Sequence, residues 1–150
     1  MRTLKRLFFL SLALVGLGWI AGLAVRKLVP AYGSESDDEF SVVAGASGSE
    51  FQSRASSLRE GRVLAVMGGV ELDLTDAGID AGATLDVKTV MGGVDVIVPP
   101  QWRVELISNS VFGGVSNRTD PDSGGADAPL LLVRAQAIMG GIEIHATESV

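Results

Sequence analysis

The chain has 150 residues, 47% of them hydrophobic and 20% charged, with one His and no Cys. That length fits one modest domain plus an appendage, and the lack of Cys excludes disulfides, thiolate metal sites and thiol nucleophiles. Residues 1–27 carry five Lys/Arg and no acid, whereas residues 28–150 carry seven Lys/Arg against eighteen Asp/Glu, a net −11. An acidic surface of that size argues against nucleic-acid binding.

Leu7 to Val25 is a run of 19 residues without charge or Pro. As a helix it would measure roughly 28 Å, close to the hydrocarbon thickness of a bilayer. A cleaved signal peptide is the competing reading, with Arg2, Lys5 and Arg6 as its basic start and Gly22-Leu23-Ala24 as its cleavage site. The run is longer than the usual signal core, and Arg26 and Lys27 close it as flanking charges close a spanning helix. The expectation is therefore a single-pass membrane anchor over residues 1–27. Three basic residues before the helix against two after it lean towards a cytoplasmic N-terminus, with the remainder outside. Gly18 and Gly22 form a small-xxx-small pair able to bring two such helices together, although Gly is also common in membrane helices.

Residues 28–39 hold Pro, Gly, Ser and a cluster of acids, and read as a solvated tether. From residue 40 to 150 the composition turns to Val, Leu, Ile, Thr and Gly, and a repeat appears. Met67-Gly68-Gly69-Val70 recurs as Met91-Gly92-Gly93-Val94, Phe112-Gly113-Gly114-Val115 and Met139-Gly140-Gly141-Ile142, at steps of 24, 21 and 27 residues. A degenerate copy, Ala46 to Phe51, lies 21 residues before the first and suits a terminal cap.

Apolar residues alternate on both sides of each Gly pair, as in Val63, Ala65, Met67 and then Val70, Leu72, Leu74. Such period-two patterning with β-branched residues predicts strands with one buried face. Each Gly pair is expected to be a corner that shifts the register by one, so that both arms face one core. The predicted class is all-β: a repeat-built parallel β-solenoid, single-stranded and β-helix-like, with Met67, Met91, Phe112 and Met139 stacked as a core ladder. An antiparallel β-sandwich is the alternative that the same alternation permits. Thr119 to Pro129 reads as a surface loop before the last unit.

The segments VLAVMGGVELDLTDAGI (63–79), VMGGVDVIVPPQWRVEL (90–106) and VFGGV (111–115) resemble the C-terminal domain of LiaF-like proteins, the cell wall-active antibiotics response family. The resemblance spans roughly residues 40–146. It implies a membrane-tethered bacterial β-domain connected with envelope-stress sensing, often through a membrane histidine kinase. Members of that family carry several N-terminal membrane helices, whereas this chain has one apolar run.

The chemistry-bearing residues are sparse. His145 shares outward parity with Glu143 and has no marked nucleophile or carboxylate partner, so it reads as a surface histidine. Asp120, Asp122, Ser123 and Asp127 are similar to a calcium loop but lack its late bidentate Glu, and read as an acidic loop. Asp76 is expected to accept backbone N–H groups in the turn before Ala77-Gly78. The Gly pairs open no helix and precede no Lys-Ser/Thr, so they form no phosphate loop. Asn117-Arg118-Thr119 matches a glycosylation acceptor, which has no bearing in the bacterial protein that the resemblance implies. Trp102 is expected to pack over the core edge.

The expectation is a non-enzymatic interaction and regulatory domain without cofactor or metal. Its partners would be the membrane, a protein such as a histidine kinase, or a second copy of itself. A self-assembling scaffold of the bactofilin-like kind is the rival reading. Charge on the last strand, at Glu143, His145 and Glu148, would discourage end-to-end growth.

Overall fold

The computed structural model describes residues 31–147. The expected membrane helix, its basic flanks and the Gly18–Gly22 pair lie outside the described residues, among which no helix is long and apolar enough to cross a membrane. The described residues form six strands: β1 (Glu39–Ala44), β2 (Ser49–Gln52), β3 (Leu58–Asp73), β4 (Ile79–Val98), β5 (Arg103–Arg118) and β6 (Leu130–Ala146). They make one sheet in the order β1-β3-β4-β6-β5, with β2 also on β3. Every pairing between these strands is parallel, which overturns the antiparallel sandwich.

The register is set by the repeat. Met67 pairs with Met91, Met91 with Met139 and Phe112 with Met139, and the Gly pairs align beside them. The degenerate copy takes the place expected of it, because Ala44 lies against Ala65 and Ser49 against Val70. Together β1 and β2 thus span one rung beside β3. Hydrogen bonds continue across the return segments, from the Ser53 N–H to the Asp73 carbonyl and from the Leu74 N–H to the Ile97 carbonyl.

Side-chain parity changes at each Gly pair as the alternation predicts. In β3, Val63 and Ala65 are buried before the pair, and Val70 and Leu72 after it. In β4 the same switch separates Leu85 and Val87 from Val94 and Val96. Both arms therefore face one cluster, joined by Phe40, Leu58, Leu131, Val133, Ile142, Ile144 and Trp102. Gly61 leaves room for the Phe40 ring, which packs on Phe51 at 4.8 Å between centroids. Trp102 is 3% exposed, on the core as expected.

One expectation is corrected. Met67, Met91, Met139 and Phe112 do form a ladder, but outside the core, at 39, 48, 47 and 73% exposure. The corner begins one residue before them, so the inward series ends at Ala65, Thr89, Ala137 and their register mate Ser110. The strands also do not stack in chain order, because β6 lies between β4 and β5. The reason lies in the inward positions of β5: Ser108, Ser110 and Asn117 stand opposite Ala135, Ala137 and Ile144 of β6. A strand with polar residues in these places is better left at the end of a stack than inside it.

Candidate interaction surfaces

Three surface features arise from this stacking. The first is the outer ridge of the corners. Parallel neighbours lie about 4.8 Å apart, so the four large residues run as a stripe across four rungs. Ile138 and Val111, immediately before Met139 and Phe112, widen the stripe with exposures of 49 and 67%. Exposed apolar surface that is contiguous rather than scattered marks a contact region.

The second is an open groove of about 980 Å³ on the far side of the Gly pairs. Its floor is glycine backbone, and its wall is a column of acids in register, Glu50, Glu71, Asp95 and Glu143. Ser116 of β5 ends the column. The like charges are partly offset by Arg118, which pairs with Glu143 at 3.1 Å. His145, one residue pair further along the strand, places Nδ1 3.0 Å from Asp95 Oδ1. Neither atom has a hydrogen-bond partner, so the two are close without forming an aligned hydrogen bond. Sequence parity put His145 outward but missed Asp95, which reaches it diagonally from the neighbouring strand.

The third is the free edge of β5. The opposite end of the stack is covered: Tyr32 and Ser41 exchange backbone hydrogen bonds, and the carbonyls of Glu35 and Asp38 accept from Arg54 and Arg59. Ion pairs from Arg54 to Glu35 and from Arg59 to Glu39 add to that cover. As a result Ser41 and Val43 of β1 are 6 and 7% exposed. Among the described residues nothing equivalent lies along β5, whose residues from Ile107 to Gly114 are all exposed.

The remaining candidates are placed as follows. Asp76 accepts from the Gln52 side chain rather than from backbone, and the turn is held by Asp73, whose carboxylate accepts from the N–H and hydroxyl of Thr75. The shorter Asp73-to-Thr75 reach suits an Asx turn. In the 119–129 loop the Asp120 carboxylate accepts from the Asp122 N–H. Among the described residues no group of three or more His or acidic side chains is placed to hold a metal ion. The guanidinium of Arg62, hydrogen-bonded to Glu60, has its pKa raised by that contact.

Comparison with family models, curated proteins and solved structures finds no match for this chain. The likeness to LiaF-like domains therefore rests on the sequence motifs alone.

Proposed function

We propose that the chain is a membrane-anchored, non-enzymatic interaction and regulatory protein of the bacterial envelope-stress response. Its folded part is a short β-solenoid of five rungs, tethered by the 1–27 segment and held on the outer side of the cytoplasmic membrane. The observation that carries this reading is the exposed Met67–Met91–Met139–Phe112 ridge. Flexible, polarisable Met side chains on a stiff sheet suit contact with a protein surface. A membrane histidine kinase is the partner that the LiaF-like motifs suggest, and the acidic column beside the ridge would favour a basic face on it. The rival reading, a polymerising scaffold, needs two open ends, and the covered β1 end disfavours it.

The test is genetic. In the parent bacterium, deletion of this chain is expected to shift the response of an envelope-stress reporter to a cell wall-active antibiotic. The intact chain should restore the response, and a Met91→Glu/Met139→Glu variant, made at exposed positions, should not. An unchanged response on deletion, or full restoration by the double variant, would contradict the proposal. A reporter active only outside the cytoplasm, fused after Val150, should be active.

A further inference from the structure

We infer that the β5 edge is the docking surface for a second copy of this chain, giving a closed two-fold dimer rather than a filament. This goes beyond the regulatory reading and stands independently of it. The two ends of the stack are unlike. Residues 31–38 occupy the edge of β1, with hydrogen bonds from Tyr32 to Ser41 and from Arg54 and Arg59 to the lead segment. By contrast β5 offers a 16-residue strand whose outer backbone groups face away from β6. An uncovered parallel edge of that length is a template for further pairing, which native proteins blunt with charge, Pro or a covering segment. From Leu106 to Asn117, β5 carries no charged residue and no Pro, and Ile107, Val111 and Phe112 are 57, 67 and 73% exposed.

The side chains of β5 also complement themselves. Its charged residues are Arg103, Glu105 and Arg118, so the strand escapes the acidic excess that would repel a second copy. Glu105 lies outward on the first arm, opposite Leu132, and Arg118 outward on the second, opposite His145. A two-fold axis between Val111 and Phe112 makes the two strands antiparallel and lays the first arm of each over the second arm of the other. Glu105 of each copy then faces Arg118 of the other, whose guanidinium also pairs with Glu143 of its own chain, and Val111 faces Phe112 across the axis. Each Ser108 meets a Val115 on the inward side, so the one-residue parity shift at the Gly pair keeps inward positions opposite inward ones. An isologous contact of this kind closes on itself. With β1 bridged by the lead segment, the second edge left among the described residues is that of β2, four residues long and carrying Glu50, which is short and charged as edges that resist growth are.

The chain, which has no Cys of its own, allows a test in whole-cell lysate by oxidative cross-linking of single introduced cysteines. Val111→Cys and Phe112→Cys should give covalent dimers in yields well above those of Ser36→Cys, at the covered end. Adding Glu105→Arg to Val111→Cys should lower dimerisation about fivefold, because two exposed ion pairs are lost. Adding Arg118→Glu as well should bring the yield back, which a merely misfolded variant would not do. Equal yields at all three positions would overturn the inference. So would indifference to Glu105→Arg, failure of the double reversal to recover, or cross-links to a different protein in place of dimers. The ridge variants Met91→Glu and Met139→Glu lie off this edge, so failure of the regulatory reading and failure of the dimer can be told apart.

Discussion

At Gly92 the backbone takes φ = +156°, and a Cβ built there would collide with the carbonyl oxygen of Gly68. The first glycines of the other pairs are alike: Gly113 and Gly140 would meet a neighbouring glycine's backbone, and a Cβ on Gly68 would lie 2.6 Å from the Ser47 carbonyl. The second glycine of each pair is different, for a Cβ on Gly93 has its nearest neighbour at 3.8 Å, an ordinary contact. Gly92→Ala should therefore destabilise the fold by about 4 kcal/mol or more, and Gly93→Ala by about 1 kcal/mol or less. Denaturant unfolding of the two variants checks this, and equal losses would contradict it. The Gly-Gly signal was thus readable as a corner, but not which glycine is indispensable. That depends on how closely adjacent rungs approach, a property of the stack rather than of one strand. The Met and Phe before each pair misled for a related reason. Parity counted from Val63 and Ala65 places Met67 inward, yet the chain has already begun to turn at Val66. Size and hydrophobicity do not tell where a corner starts.

Among the elements, β5 and β6 carry the main departure from chain order. Their repeats look alike, so spacing alone makes β5 the inner strand and β6 the end. The signal that reverses them was in the sequence: Ser108, Ser110 and Asn117 occupy places that in β6 are held by Ala135, Ala137 and Ile144. Charge on β6 was a poor guide, because Glu143 and His145 point outward and do not blunt an edge. The arrangement has an energetic consequence. Leu131 of β6 is fully buried, whereas Leu106 of β5 is only partly buried against the same core. Leu131→Ala should cost about 2–5 kcal/mol, as core truncations do. Leu106→Ala should cost about 1 kcal/mol, in proportion to the smaller apolar area it removes from water. Unfolding at low protein concentration, where the edge is free, reads the difference. A larger loss at Leu106 would mean that β5 is the inner strand.

Across the described residues as a whole, five rungs joined in parallel share one core, and their two ends differ in kind. The capped end is built by the residues that follow the apolar N-terminal segment. The open end carries the least acidic strand of a strongly acidic domain. Between them run an apolar ridge and an acidic groove, each made by one corner position that repeats over four of the five rungs. A binding surface assembled in this way has a fixed spacing of about 4.8 Å per rung, so its specificity lies in the order of the rungs as much as in the residues. The order β4-β6-β5 is accordingly the claim on which the ridge, the groove and the open edge all depend.

Disulfide trapping in the naturally Cys-free chain tests that order most directly. Lys88 and Gln136 are register partners on β4 and β6, and Asn109 is the partner of Gln136 on β5. Neighbouring rungs fall within disulfide reach, whereas strands two rungs apart, at roughly 9.6 Å, do not. Lys88→Cys/Gln136→Cys should close an intramolecular disulfide under mild oxidation, and Lys88→Cys/Asn109→Cys should not. The opposite result, with closure from Lys88 to Asn109 and none to Gln136, would put the strands back in chain order and contradict the account.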